Sequence, residues 1–427
     1  MAASTPPPMQ WVSVLSTRPS LEAAIAEVVE RATSALGTAP HLGIVFISSA
    51  FTSEYSRLMP LLQSHLPEVP LIGCGGAGVI GMAPTNEPRE VEGEAAIALT
   101  LAHLPQVNVH PFHLAPDGLP DLDSPPAAWA DLIGVAPTEQ PQFILFADSA
   151  FSKITDLLQG LDFAFAGSSK IGGLASGGFG SHSGALFCQN QTYRDGIVGV
   201  ALSGNIIVET IVAQGCRPIG APYLVAEGER NILLALEAQS SDSVAAPVSS
   251  TTVSQKRTPL EMLQELIQSL NEADRTLAQH SLFVGVAQSE FKQTLEQGDF
   301  LIRQLIGVDP RVGAIAIGDR IRPGQRIQFH LRDSKASAED LEVLLQRYQL
   351  TTMTAETRTA PIGALMFACT GRGEGLYGEP NFDSHLFHRY FPAVPLSGFF
   401  CNGEIGPVGG STFLHGFTSV FGIIRQP

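Results

Sequence analysis

Cysteine is scarce: the 427 residues hold five, Cys74, Cys188, Cys216, Cys369 and Cys401, with no CxxC pair among them. An odd number of scattered thiols excludes a disulfide framework, disfavours a zinc site and fits a reducing compartment. Long apolar runs are also missing. No stretch approaches the ~18 uninterrupted apolar residues of a membrane span. The opening MAASTPPPMQW lacks the basic and apolar regions of a signal peptide. The expectation is a soluble, cytoplasmic protein with no membrane partner. Positive charge is short as well, since 25 Lys and Arg face 41 Asp and Glu for a net charge of −16. The excess is uneven: residues 1–240 carry 22 acidic and 9 basic side chains. Phosphate backbones would be repelled, so no nucleic acid is expected to bind. Catalytic signatures are absent too. There is no GxSxG, and neither Cys74 nor Cys401, both in glycine-rich loops, has an assignable base.

What is present is a large apolar content, 44% of the chain, enough for about two to three domains with a full core. The clearest punctuation is AQSSDSVAAPVSSTTVSQKRTP, residues 238–259, whose serines and lack of large aromatics predict a flexible linker. After it, Leu260, Leu263, Ile267 and Leu270 share one face of an amphipathic helix. Three segments repeat a pattern. GIVFISSAF leads to VPLIGCGGAGVIG, QFILFADSAF to FAFAGSSKIGGLASGG, and IGALMFACTGRG to VPLSGFFCNGEIGPVGG. Each is a buried strand followed by a helical or loop segment and a second strand ending in glycines. A further apolar run follows each: EAAIALTLAHL, GALFCQN and GFTSVFGIIR. These are three related strand–helix–strand units. Residues 195–215 predict a hairpin about Ser203-Gly204-Asn205, and 298–333 a three-stranded meander. The fold class is mixed α/β, with largely antiparallel sheets, packed helices and two related halves built from the repeated units.

Gly73, Gly75 and Gly78 satisfy a lone GxGxxG, but the proline that soon follows denies the phosphates a helix N-terminus. No cofactor is expected. His385 and His388 beside Asp383, and the HPFH of 110–113, have metal-ligand spacing but no dedicated third ligand, so no metal is expected. Arginine inside apolar strands is more informative. Arg303 lies in FLIRQLIG and Arg332-Asp333 closes IQFHLRD. A buried guanidinium needs either an internal carboxylate or an anionic ligand. Glu404 raises the same question, set among the seven glycines of residues 396–425.

The terminal GFFCNGEIGPVGGSTFLHGFTSVFGIIR, with FLIRQLIGVD, GAIAIGD, GQRIQFHLRD and FACTGRG before it, resembles the C-terminal half of the FIST family. IGCGGAGVI, the next glycine-rich repeat and GCRPIG resemble its N-terminal half. The expected organisation is an extension over 1–19, an N-terminal-like domain over 20–222 and a C-terminal-like domain over 223–427. The resemblance implies a sensory, small-molecule-binding protein of signal transduction and no enzymatic reaction, with amino acids among the candidate ligands. The two halves leave no room for an attached signalling module, so a separate signalling partner is expected; a protein-interaction scaffold without a small ligand is the alternative, and an enzyme the third reading. Gly73, Cys74, Arg303, Arg332, Asp333, Cys401, Asn402, Gly403 and Glu404 are the candidate ligand residues. Glycines let backbone N–H groups approach a ligand, Arg332 would take a carboxylate, and Glu404 or Asp333 an ammonium. Arg332, Asp333, Asn402 and Glu404 are expected to converge on one cleft.

Overall fold

The computed structural model describes residues 8–177, 184–238, 256–288, 292, 294–295, 298–354 and 359–427. Residues 239–255 of the expected linker lie outside the described residues. The fold class is as expected, mixed α/β, the described residues forming four largely antiparallel six-stranded sheets, one of them a closed barrel. Two compact units divide the chain: Met1–Ala213 with Leu341–Pro427, and Gln214–Asp340. The boundary expected at 222/223 falls inside a strand of the second unit.

The first unit is one plan used three times. The first repeat runs β1 (Gln10–Ser16), α1 (Leu21–Leu36), β2 (Leu42–Ser48), α2 (Tyr55–His65), β3 (Leu71–Gly76), β4 (Gly78–Met82), β5 (Pro88–Glu92) and β6 (Ile97–His103). The second runs β7 (Val107–Leu114), α3 (Pro126–Ile133), β8 (Gln142–Ala147), α4 (Ile154–Ala164), β9 (Lys170–Leu174), β10 (Leu186–Cys188), β11 (Gln191–Tyr193) and β12 (Ile197–Gly204). The third opens with β13 (Ile207–Ala213), and the chain then enters the barrel unit. This comprises β14 (Cys216–Glu229), β15 (Ile232–Ala238), α5 (Pro259–Ser269), α6 (Glu272–Ala278), β16 (Leu282–Ala287), β17 (Phe300–Asp309), β18 (Ala314–Ile317) and β19 (Arg326–Arg332). The third repeat resumes along α7 (Ser334–Thr354) and continues through β20 (Gly363–Cys369), α8 (Glu374–Tyr377), α9 (Phe382–Tyr390), β21 (Leu396–Cys401), β22 (Glu404–Val408), β23 (Ser411–His415) and β24 (Ser419–Arg425).

The three strand–helix–strand units are present, with β2 and β3, β8 and β9, and β20 and β21 paired in parallel. All seven residues of β2 and of β20 are buried, as befits strands covered on both faces. The third residue of each second strand is glycine. A Cβ there would lie 1.9 Å from the Val45 carbonyl oxygen at Gly73, 1.8 Å from that of Leu145 at Gly172 and 1.8 Å from that of Met366 at Gly398. The parallel neighbour thus admits no side chain.

The glycine-rich turns then send each repeat's hairpin into another repeat's sheet. β4–β5 pairs with β21, β22–β23 with β9, and β10–β11 with β3. Each repeat therefore donates one hairpin and receives another in a closed cycle. The sheet orders are β1-β6-β2-β3-β10-β11, β7-β12-β8-β9-β22-β23 and β13-β24-β20-β21-β4-β5, the same plan three times. One apolar core joins the three sheets, with Phe46, Phe146 and Phe367 from equivalent positions 5.3–6.5 Å apart. The helices cover the outer faces in three separate cores.

Three local expectations are corrected. GALFCQN, read as the run that follows the second unit, supplies β10 to the first repeat's sheet, and β12 is the strand that stands beside β8. Around Gly204 the chain does turn, but β12 and β13 belong to different sheets, because each finds its buried partner elsewhere. In the barrel, ordered β14-β15-β18-β17-β16-β19, β17 and β18 pair as expected. The meander stops there: β19 pairs with β14 and β16, because its run of six buried residues requires a neighbour on each side. The helix after the linker is α5, capped by Thr258, and its buried face is Met262, Leu263 and Leu266, with Ile267 and Leu270 partly buried.

Candidate functional site

The sequence-flagged residues fall on both units, and most are interior. Cys74 and Cys401 are fully buried, and burial raises both thiols well above their ordinary range, so neither is poised as a thiolate. Gly73 is dictated by β2, and a Cβ on Gly403 would meet Leu414 and Leu174. Asn402 is exposed, with its N–H bonded to the Leu174 carbonyl at 3.1 Å and its Nδ2 3.5 Å from that of Ala175. Glu404 is fully buried, and its Oε2 accepts the Thr418 N–H at 3.0 Å. By register it occupies the place held by Val79 and Leu186 in the other donated hairpins. The glutamate thus pins the turn before β24.

In the barrel unit, Arg303 donates Nε to Asp319 at 2.7 Å. Asp333 accepts from Arg217 at 3.3 Å and from the Ala336 N–H in the first turn of α7 at 2.6 Å. Arg332 pairs along the backbone with Cys216. Arg332 and Asp333 therefore belong to one compact unit, and Asn402 and Glu404 to the other. The partners named here for Arg303, Asp333, Asn402 and Glu404 all lie in the unit that carries the residue.

A groove of about 990 Å³ runs along β1 and α1 in the first unit and was not foreseen. Its apolar lining includes Trp11, Val12, Val14, Ala23, Ala26 and Met82, with Pro84 and Pro395 closing it; Arg18, Glu27, Glu30 and Arg31 supply both charge signs. The helix forms because Ser20 caps it and Leu21, Ala24, Ile25, Val28 and Ala32 seat one face on the sheet. That leaves alanines and charges turned to the groove. Glu27 accepts from Ser16 Oγ at 2.7 Å and Arg18 Nε at 3.2 Å; burial pulls its carboxyl up, but these bonds hold it below the ordinary range. Arg31 donates to the Leu15 carbonyl at 2.8 Å and lies 3.7 Å from Glu27. A smaller pocket of about 440 Å³ occupies the corresponding place beside β13 and α7, lined by Ser169, Glu209 and Tyr348. There Glu209 is already held by Tyr348 at 2.7 Å and Arg425 at 2.9 Å.

A second polar constellation is buried. Five residues after the central phenylalanine of β2, β8 and β20 stand Phe51, Phe151 and Arg372. Where two repeats plug the site with an aromatic ring, the third inserts a guanidinium with no exposed side-chain surface. Arg372 donates to Asp383 at 2.6 and 3.0 Å and to the Tyr377 hydroxyl at 2.6 Å, and that hydroxyl donates to Asp383 at 2.8 Å. Asp383, noted in the sequence beside His385 and His388, serves the arginine. Sequence reasoning missed Arg372, although aligning SSAF, DSAF and CTGR would have shown it.

Comparison with known proteins places the chain in context. Residues 41–239 match the FIST N domain and residues 259–407 the FIST C domain. An uncharacterised protein of Mycobacterium tuberculosis is 31% identical over 95% of this chain and 97% of its own length. An uncharacterised Mycobacterium bovis protein is 28% identical over 96% of each. Human F-box only protein 22 is 38% identical over 87 residues, 19% of this chain and 21% of that protein. Among solved structures, a cyanuric acid hydrolase from A. caulinodans aligns over 98% of this chain and 99% of its own with 9% identity and a TM-score of 0.32.

Proposed function

The chain belongs to the FIST family, whose domains are associated with sensing in signal transduction, and from that premise we propose a sensory module that binds a small molecule in the groove between α1 and β1. The observation that carries this reading is the groove itself: a large concavity with an apolar floor and a few opposed charges has the make-up of a ligand site. An amino acid or related metabolite suits it. Arg18 and Arg31 offer donors to a carboxylate, Glu27 and Glu30 accept from an ammonium, and the apolar lining receives a side chain. The Arg18–Glu27 pair is solvent-exposed on the arginine side, so a ligand that replaces it displaces an interaction worth only about 0–1 kcal/mol. No helix among the described residues is long and apolar enough to cross a membrane, and no enzymatic step is proposed.

Calorimetric titration with the standard amino acids tests the reading. A binder should lose roughly tenfold affinity in Arg18→Ala, the scale of one charge-assisted bond, while the melting temperature of the free protein stays within a degree or two. Unchanged affinity in that variant would remove the groove from the account. The output would pass to a separate signalling protein. A scaffold reading has one observation in its favour, the exposure of Ile306, Val308 and Val312 on the barrel unit.

A further inference from the structure

The donated hairpin β4–β5 carries Glu90, which is 6% exposed, and its Oε1 accepts the Ser384 N–H of α9 at 2.7 Å. Its other oxygen, Oε2, is buried without a hydrogen-bond partner among the described residues. The Glu90 N–H in turn donates to the Asn381 side chain at 2.7 Å, so one residue ties the first repeat's hairpin to the third repeat's α8–α9 segment twice. The ionisable groups that act on it are Asp383 from α9 and Glu92 on its own strand; Tyr377 from α8 feels its charge and those of Asp383 and of Arg372 from the loop after β20. β4, the paired strand, brings only Gly78, Val79, Ile80, Gly81 and Met82. Arg372 already pairs with Asp383 and Tyr377, while Asp383 and Glu92 both oppose a charge on Glu90. By register the equivalent positions hold Thr192 and Leu414, which cannot ionise.

We propose that Glu90 is a proton-operated latch: protonated, it keeps the α8–α9 segment closed on the donated hairpin, and when it ionises the segment loosens. A neutral carboxyl can sit inside with one oxygen unmatched, but for a carboxylate there burial and Asp383 outweigh the bonds from Ser384. Burial first, and then Asp383, push the Glu90 carboxyl up to about 7, so the transition lies near neutrality. Because the folded value lies above the ordinary 4.5, closure is strongest below that ordinary value. It weakens as pH rises through about 7 and levels off beyond it. The turn of the same hairpin, Met82 to Asn86, walls the α1–β1 groove, so a loosened hairpin would change ligand affinity. That last link rests on the groove being the ligand site; the latch does not.

Hydrogen–deuterium exchange of the whole protein at pH 6 and pH 8, corrected for intrinsic rates, tests the latch without any ligand. Opening of the segment 374–391 should rise about tenfold between the two, the ratio that linkage gives for one acid of this displacement. The equivalent first-repeat segment, residues 49–65, should change little. Glu90→Gln should flatten the response; if that variant misfolds, Glu90→Leu, with the residue found at 414, takes its place. A wild-type segment 374–391 that opens no more than 49–65, or a pH response that survives both substitutions, overturns the proposal. If exchange responds but amino-acid affinity does not, the latch stands and its link to the groove fails.

Discussion

The first and third repeats share a backbone plan and differ in what they bury. Both parallel pairs require the same glycine, Gly73 and Gly398, and both present an equivalent phenylalanine, Phe46 and Phe367, to the shared core. The first then closes its strand end with Phe51, whereas the third uses Arg372 with Asp383 and Tyr377. The hairpin donated by the first repeat enters its new sheet with Val79, while the third's enters with Glu404. Positions on which the repeats agree describe what the fold needs. Those on which the third departs mark where polar chemistry has been admitted at a cost in burial.

Removing one partner of the buried pair should break this comparison hardest. Asp383→Ala takes from Arg372 its buried carboxylate partner, and urea unfolding should show a loss of about 3–5 kcal/mol. The double variant Arg372→Phe with Asp383→Leu returns the third repeat to the apolar plan of the first two and should recover most of that loss; equal damage would show that the repeats are not interchangeable. Next in size is Gly172→Ala, whose Cβ would lie 1.8 Å from a neighbouring carbonyl oxygen, so about 3 kcal/mol or outright misfolding is expected. Gly307→Ala, where a Cβ meets nothing within 4 Å among the described residues, is the control and should be within about 0.5 kcal/mol of the parent. Glu404→Val copies Val79 but strips the Thr418 N–H of its acceptor, for a loss of about 1–3 kcal/mol. Glu404→Gln keeps an acceptor there, and its melting temperature should fall less than that of the valine variant.

The repeated units were legible because each is local: strand, helix and parallel strand follow within about 35 residues, and their apolar runs are continuous. The exchange of hairpins was not. GALFCQN reads as a buried strand whichever sheet it joins, and the pairing of Ile80 with Gly398 spans most of the chain. Glu404 was conspicuous as a charge among glycines, yet nothing in those residues tells whether the carboxylate meets a ligand or the Thr418 N–H of a neighbouring turn. The groove escaped notice because residues 11–35, 82–86 and 395 contribute to it, and none carries a motif alone. Glu90 was hidden for a similar reason, its partners lying almost 300 residues away on α9.

The most direct test of the central claim, a ligand in the α1–β1 groove, uses Trp11. It lines the groove and is one of two tryptophans, the other being Trp129, fully buried in the second repeat's own core. Fluorescence titration of Trp129→Phe, with Trp11 as sole reporter, should show a saturable change in emission on adding the amino acid that calorimetry identifies as a binder. Arg18→Ala in the same background should shift that curve about tenfold to higher concentration. Calorimetric binding with no change in Trp11 emission would place the ligand elsewhere on the protein and contradict the account.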